Sequence, residues 1–156
     1  MLSKSAQSVQ DVLAKKGLQF KVVELPSSTR TANEAAATIG CEVAQIVKSL
    51  VFCTQQTKKA VLVLASGANR VNENAVAEQV GEKIIKADAD FAREATGFAI
   101  GGVPPVGHAK AIDTYIDDDL LKFKELWAAA GTPNAVFNLQ SADIVNLTNG
   151  KVISIK

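Results

Sequence analysis

The chain has 156 residues, of which 47% are hydrophobic, enough for one domain with a substantial core. Its formal net charge of +1 excludes a strongly basic surface that would hold nucleic acid by charge alone. No apolar run approaches the roughly 18 residues of a membrane span, and the N-terminus lacks the apolar core of a signal peptide. We therefore expect a cytoplasmic protein that makes no membrane contact.

The first half of the chain predicts short helices that alternate with strands. Helices are predicted at 5–16, 32–39 and 73–80 and a helical turn at 42–46, with strands at 20–25, 47–53 and 60–65 and a polar loop at 27–30. The second helix opens with a capping-box pattern, in which Thr31 is followed by Glu34. The run at 60–65 is continuously apolar, which indicates a strand buried on both faces.

The second half continues the alternation. Strands are predicted at 83–87, 98–100, 111–116, 134–139 and 151–155, and helices at 88–96, 117–130 and 141–147. The helix at 117–130 is predicted from its acidic start, from its apolar residues and from Gly131 at its end, and it would place Phe123 and Trp127 in the core.

The order of these elements predicts an α/β (α+β) fold in a single domain spanning residues 1–156. About seven strands alternate with short helices, while tight turns at 55–59 and at Asn149-Gly150 indicate antiparallel pairs, so we expect a mixed sheet. The glycine-rich motifs of dinucleotide-binding folds and of P-loops are absent from the sequence.

Residues 100–108, IGGVPPVGH, contain three of the ten glycines, two of the four prolines and the single histidine. Glycine permits a close backbone approach and proline fixes the chain direction, so this segment is either a tight connection between strands or a ligand-binding loop. In the second case the N–H groups of Gly101 and Gly102 are free to face a ligand.

Two side chains are candidates for chemistry. Lys48 lies at the head of an otherwise apolar strand, where it is either a solvated strand end or a cation that holds a phosphate or polarises an ester carbonyl. His108 is the only conventional imidazole base, and a structural or exposed role is the alternative. Because one histidine and two cysteines do not make a metal site, and the acidic run at 117–119 is typical of a helix start, we expect neither a metal nor a cofactor.

Taken together, these segments resemble the YbaK/prolyl-tRNA synthetase-associated editing-domain family. The resemblance extends over roughly residues 30 to 150 and is carried by IVKSL at 46–50, VLASGANRV at 63–71, GGVPPVGH at 101–108, IDDDL at 116–120, and AAGT at 129–132 before AVF at 135–137. The Gly-Gly-x-Pro-Pro-x-Gly-His loop combined with the upstream lysine is its most specific part.

The resemblance implies a freestanding trans-editing aminoacyl-tRNA deacylase with a mixed, strongly curved sheet. Such a protein hydrolyses the ester of a mischarged tRNA, typically tRNA(Pro) that carries a smaller amino acid, without a metal ion. Lys48 matches the signature lysine of the family, and Gly101 and Pro105 match its Gly-x-x-x-Pro loop. The catalytic residues would then be Lys48, Gly101 and Gly102.

A hypothesis for the reaction follows from this resemblance. The N–H groups of Gly101 and Gly102 hold the carbonyl or α-amino end of the substrate, and Lys48 anchors the phosphate or ribose of the terminal adenosine. A water, oriented by the 2′-hydroxyl of that adenosine, attacks the ester. The residues expected to contact the substrate are Ser49, Ser66, Gly67, Val103, Pro104, Pro105, His108, Asp117 and Asn138.

The amino acid and the partners are less constrained. Some family members that edit alanine carry a histidine in the late strand where this chain has Asn138, so we do not expect alanine specificity. The expected partners are mischarged tRNA and either prolyl-tRNA synthetase or an elongation factor, and not DNA. A basic patch for tRNA would draw on Lys15, Lys16, Arg30, Arg70 and Lys110. The alternative is a non-catalytic module of the same fold that docks on a synthetase or binds an amino-acid-like ligand.

Overall fold

The helices begin and end mostly where the capping patterns predict. The computed structural model describes residues 2–18, 20–27 and 31–156, and its helices are α1 (Lys4–Lys15), α2 (Ala32–Ile39), α3 (Glu73–Val80), α4 (Ala89–Thr96) and α5 (Ile144–Thr148). The side chains of Thr31, Asn72 and Asp88 accept hydrogen bonds from the first turns of α2, α3 and α4, as N-caps do. Residues 28–30, which include Arg30 and most of the predicted polar loop, lie outside the described residues.

Within the described residues the sheet has eight strands, close to the predicted number of about seven. They are β1 (Val22–Glu24), β2 (Ile46–Thr54), β3 (Ala60–Ser66), β4 (Ile84–Lys86), β5 (Asp113–Asp117), β6 (Glu125–Ala129), β7 (Ala135–Gln140) and β8 (Lys151–Ile153). Their order is β1-β7-β6-β2-β3-β5-β8, and β4 also pairs with β2. The pairs β2/β6, β3/β5 and β5/β8 are parallel and the others are antiparallel, so the prediction of a mixed sheet is confirmed.

The predicted helix at 117–130 is wrong. A short 3₁₀ turn, Asp118–Lys122, is followed by strand β6. In β6 the apolar residues alternate between two faces, because Leu126 and Ala128 enter the main core while Trp127 packs on the opposite side against α2. That period of two is the period of a strand, and the apolar residues at 120 and 121 concealed it.

Two smaller predictions also fail. Residues 98–100 form no strand, because the N–H of Gly102 turns back to the oxygen of Ala99 and the Thr96 hydroxyl bonds the backbone of Phe98. Asn149-Gly150 is not a hairpin turn, since it leads from α5 into β8, which runs parallel to its neighbour β5. β1 is also shorter than the predicted strand at 20–25.

The loop at 100–106 is fixed in place because its backbone closely approaches that of residues 131–132. The oxygen of Gly102 accepts a hydrogen bond of 2.9 Å from the N–H of Gly131, and a Cβ on Gly102 would lie 2.9 Å from Cα of Thr132. Only glycine fits such a contact. Val103 and Val106 anchor the same loop in the main core.

One edge of β2 is unpaired in its middle, because β2 pairs with different strands at its two ends. Ile46 and Val47 pair with β6, and Phe52 to Thr54 pair with β4. Between them the edge at residues 48–50 faces no strand in the described parts of the chain. The loop at 100–103 comes to this opening, and the cavities described below surround it. No helix among the described residues is both long and apolar enough to cross a membrane.

Candidate active site at the open edge of strand β2

Two solvent-accessible cavities meet at the opening in β2. The apolar cavity, of about 340 Å³, is enclosed by α2, β6 and β7, with Ile39, Trp127 and Val136 among its walls. The cationic cavity, of about 840 Å³, lies on the other side and is lined by residues of the β3–α3 loop and β4, among them Arg70 and Lys86. Both cavities share a wall made of Lys48, Ser49, Leu50, Ile100 and Val103.

Lys48 lies in this shared wall, and its terminal ammonium group is fixed by a hydrogen bond. Its Nζ donates a hydrogen bond of 2.6 Å to the backbone oxygen of Asn69. An ammonium group has three donors, so two remain for a ligand. Burial lowers the pKa of Lys48, the Asp117 carboxylate partly offsets this effect, and the Arg70 guanidinium adds to the lowering.

Asn69 connects Lys48 to the acidic turn at 117–119. Its Nδ2 donates to Oδ2 of Asp117 at 2.8 Å and to Oδ2 of Asp119 at 2.7 Å. The same Asp117 oxygen accepts the backbone N–H of Ser66 at 2.9 Å, and Asp117 is fully buried. Because a buried carboxylate needs several donors, these bonds fix the turn that carries the acceptor of Lys48.

The carboxylates at 117–119 lie within 4.8 Å of one another, but those of Asp117 and Asp119 are engaged by the protein. Besides Asn69, Asp119 pairs with Lys122 at 2.7 Å and with Lys156 at 2.8 Å. These partners hold the pKa of the Asp119 carboxyl far below its usual range. The arrangement is that of a structural charge cluster that orients Asn69.

The glycine loop supplies one free donor rather than two. Gly101 lines the apolar cavity together with Lys48, its φ of +95° is left-handed, and its N–H has no partner among the described residues. The prediction that the Gly102 N–H is also free is wrong, because that group donates to Ala99 and Gly102 is buried against residues 131–132. Gly102 therefore shapes the loop, and Gly101, which is only partly buried, carries the free donor.

Ser49 carries an unsatisfied hydroxyl. Its Oγ is the one buried side-chain polar atom without a hydrogen-bond partner in the part of the chain that the structure describes. The residue lies in the shared wall of the two cavities. Buried polar atoms in native proteins are almost always paired, so an orphan at this place is typical of a group that pairs with a ligand.

Several predicted contact residues lie elsewhere. Pro105 and His108 line a third cavity, of about 700 Å³, beside β5 and the end of α1. The Nε2 of His108 donates to the oxygen of Pro104 at 2.7 Å, and burial lowers the pKa of the imidazole although that hydrogen bond opposes it. His108 is thus neutral near pH 7 and outside the cavities that hold Lys48.

Of the remaining predicted contact residues, some line the two cavities and others do not. Val103 and Gly67 line it, and a Cβ on Gly67 would lie 2.3 Å from the oxygen of Val43. The Ser66 hydroxyl donates to the oxygen of Ala44 and is buried. Asn138 donates to the oxygen of Leu126 and lines neither cavity.

The candidate basic residues do not form one patch. Lys16 and Lys110 line the third cavity, whereas Arg70 lines the cationic cavity. Sequence reasoning did not single out three residues that line the site: Asn69, Lys86 and Trp127. The sequence did contain a signal for Asn69. This residue lies in the turn that follows the buried strand at 60–65, within the family motif at 63–71, and such loops often carry functional residues.

Comparison with known proteins identifies the fold and the family. The profile of the family described as "Aminoacyl-tRNA editing domain" matches residues 26–147. The chain belongs to the aminoacyl-tRNA editing domain family. Membership supports hydrolysis of aminoacyl-tRNA as the reaction and aminoacyl-tRNA as the class of substrate.

Three relatives of this editing domain are similar over most of their length. "Uncharacterized protein YwhH" of Bacillus subtilis is 28% identical over 148 residues, covering 95% of this chain and 94% of that protein. "Putative Cys-tRNA(Pro)/Cys-tRNA(Cys) deacylase EbsC" of Enterococcus faecalis is 28% identical, covering 80% and 76%. A crystal structure described as "a putative trans-editing enzyme for prolyl tRNA synthetase" is 49% identical with a TM-score of 0.94, covering 100% of this chain and 99% of the other.

Proposed function

We propose that this editing domain hydrolyses, in trans, the ester of tRNA(Pro) mischarged with an amino acid smaller than proline. The observation that carries the proposal is that Lys48 and Gly101, from distant parts of the sequence, line one small apolar cavity. The names of two relatives, one of which refers to Cys-tRNA(Pro) and the other to prolyl-tRNA synthetase, support the choice of tRNA.

The two cavities suit the two ends of an aminoacylated adenosine. The apolar cavity accepts the amino-acid side chain, because its walls are aliphatic and aromatic, and Ala35 and Ala129 leave room in it. The larger cationic cavity accepts the adenosine and the RNA that precedes it. The ester that joins the two parts then lies against the shared wall, beside Lys48 and Ser49.

The chemistry required at this wall is modest. An aminoacyl ester is already activated, so positioning and polarisation of its carbonyl are sufficient for hydrolysis. The N–H of Gly101 donates to the carbonyl oxygen of the ester, and the two free donors of Lys48 hold the ribose or phosphate of the terminal adenosine. A water oriented by the 2′-hydroxyl attacks the carbonyl carbon, and the tRNA 3′-oxygen leaves with a proton. No step in this sequence needs a metal ion.

A partner would explain how a nearly neutral protein finds its tRNA. The net charge of +1 gives a weak general attraction to RNA, so we propose that prolyl-tRNA synthetase or an elongation factor presents the substrate. Tight tRNA binding by the isolated chain at high salt would contradict this part of the proposal.

The decisive experiment is a panel of tRNA(Pro) species, each charged with a different small amino acid and mixed with the chain. We expect ester loss on at least one mischarged species and none on Pro-tRNA(Pro). Lys48→Ala should lower kcat/KM by about 100-fold, as the loss of an oriented charged group does. The matched control is Lys59→Ala, which removes an exposed lysine from the far end of the β2–β3 hairpin.

One outcome would overturn the proposed role of Lys48, and another would overturn the proposed activity. Retention of activity in Lys48→Ala would remove Lys48 from the reaction. Absence of ester loss on every tRNA, together with measurable binding of an aminoacyl-adenosine analogue, would favour the alternative of a non-catalytic binding module.

A further inference from the structure

The cationic cavity, of about 840 Å³, has an excess of positive charge among its lining residues. Three of its lining side chains are basic, Lys48, Arg70 and Lys86, and one is acidic, Glu73. The whole chain has a formal net charge of only +1, so this is a local accumulation of positive charge. Such an accumulation in a concave surface attracts anions.

Arg70 and Lys86 have no protein partner, as is true of most basic residues that the structure describes, but these two line a concave cavity. In the parts of the chain that the structure describes, neither side chain makes an ion pair or a hydrogen bond. By contrast, Lys122 and Lys156 pair with Asp119, Lys110 pairs with Glu94, and Lys151 bonds Gln79.

The two side chains come from separate elements that the fold brings to the same cavity. Arg70 lies in the loop after β3, directly beyond the Asn69 that holds Lys48. Lys86 lies in β4, whose register places it opposite Phe52 of β2. The lining of this cavity also includes the apolar side chains of Leu50 and Val71, which suit a base or a sugar face.

We propose that Arg70 and Lys86 bind the phosphate groups of the nucleotides that precede the terminal adenosine of the tRNA acceptor strand. The inference rests on the proposed function, because it needs the terminal adenosine to lie beside Lys48. A single-stranded RNA end that leaves the shared wall enters this cavity and carries one negative charge at each phosphodiester. Arginine suits phosphate through its paired donors, and lysine serves as a point charge. The contacts set the register of the strand without reading its sequence.

The test separates phosphate binding from contacts to the adenosine or the amino acid. The probes are two non-hydrolysable, amide-linked analogues, one built on adenosine without phosphate and one built on the trinucleotide CCA, which has two phosphodiesters. Affinities of wild type, Arg70→Gln, Lys86→Gln and the double variant are measured for both probes. Lys59→Gln is the matched control, because it removes the same charge from an exposed lysine outside all three large cavities.

We expect the CCA probe to bind wild type more tightly than the adenosine probe does. Each single variant should weaken the CCA probe about tenfold and leave the adenosine probe unchanged. The salt dependence of CCA binding should fall by about one unit of log–log slope in each variant, and Lys59→Gln should change neither quantity.

Three results would overturn the inference: equal affinity of wild type for the two probes, equal weakening of both probes by the variants, or weakening by Lys59→Gln as large as that by Arg70→Gln. Failure of the proposed function looks different. In that case wild type releases no amino acid from any mischarged tRNA, whatever the two binding probes show.

Discussion

The ammonium of Lys48 donates a 2.6 Å hydrogen bond to the backbone oxygen of Asn69, a residue that lies beyond the end of the neighbouring strand. Asn69 is held in turn by the buried Asp117 carboxylate of β5. The position of the Lys48 ammonium is therefore determined by three consecutive neighbours in the sheet, β2, β3 and β5.

Asn69→Ala tests whether this connection positions Lys48. The change removes two donors from carboxylates, and hydrogen bonds to charged groups are worth about 1.5–3 kcal/mol, so the free energy of unfolding should fall by about 2–3 kcal/mol. The rate constant kcat for ester hydrolysis should fall by about tenfold or more in the folded fraction, because the backbone oxygen that accepts from Lys48 is no longer held in place by the carboxylates. Urea unfolding and single-turnover hydrolysis of mischarged tRNA measure the two effects.

The control for that variant is Asn74→Ala, which removes an exposed amide from α3 that makes no side-chain hydrogen bond within the described residues. It should leave both quantities unchanged. A loss of stability in Asn69→Ala without any loss of kcat would show that Asn69 serves the fold alone.

Ser49→Ala separates a ligand-binding hydroxyl from a structural one. Because its Oγ is buried without a partner, removing it should leave the free energy of unfolding unchanged or raise it by up to about 1 kcal/mol. If the hydroxyl pairs with the substrate, KM for the mischarged tRNA should rise about tenfold. Thermal unfolding and steady-state kinetics measure the two quantities.

Thr54→Val is the contrasting control, since the Thr54 hydroxyl is buried but bonded to Thr57 and to the N–H of Lys59. That variant should lose about 1–3 kcal/mol of stability and leave KM unchanged. An unchanged KM in Ser49→Ala would remove Ser49 from the substrate contacts.

What the sequence predicts well in this chain is local. Thr31, Asn72 and Asp88 cap helices at the predicted positions because a cap depends on hydrogen bonds within four residues. Trp127 was misplaced because its strand is stabilised by pairing with β2 and β7, which are distant in sequence, whereas the apolar residues nearby fit a helix equally well.

The residues of the candidate site also differ in how well the sequence predicts them. Lys48 and Gly101 could be recognised from their motifs, and both line the apolar cavity. Asn69 was missed because it acts through a backbone oxygen, which any residue type carries. His108 stands in the same motif as Gly101 but lines another cavity, because the loop between them passes through the core at Val103 and Val106.

The pKa of Lys48 gives a prediction about pH. Burial lowers it, the Asp117 carboxylate only partly offsets this effect, and the Arg70 charge lowers it further, so the Lys48 ammonium should titrate below the ordinary range of a lysine. A nearby positive charge disfavours the protonated amine, and Arg70→Gln should therefore raise the pKa of Lys48. Carbon-13 NMR of the lysine ε-carbons over an alkaline titration measures the pKa of Lys48 in wild type and in Arg70→Gln.

Arg70→Gln should also change the pH at which activity is lost. If the charged form of Lys48 binds the substrate, the alkaline loss of kcat/KM, corrected for spontaneous ester hydrolysis, should move to higher pH in Arg70→Gln. A shift of that loss to lower pH, or a pKa of Lys48 that is not below the ordinary lysine range, would contradict the assigned surroundings of the ammonium.

Ala129→Leu tests whether the apolar cavity selects the amino acid. Ala129 lies in β6 on the same face as Trp127, and both line the cavity of about 340 Å³. Three added carbons reduce its volume, and one methylene in such a pocket is worth about 1–3 kcal/mol of discrimination. The kcat/KM for the larger accepted amino acids should therefore fall at least tenfold more than that for alanine, measured on the panel of mischarged tRNA(Pro). Ala14→Leu adds the same carbons on the exposed side of α1 and should leave the order of preference unchanged. A uniform loss across all amino acids in Ala129→Leu would mean that the side chain of the substrate lies elsewhere.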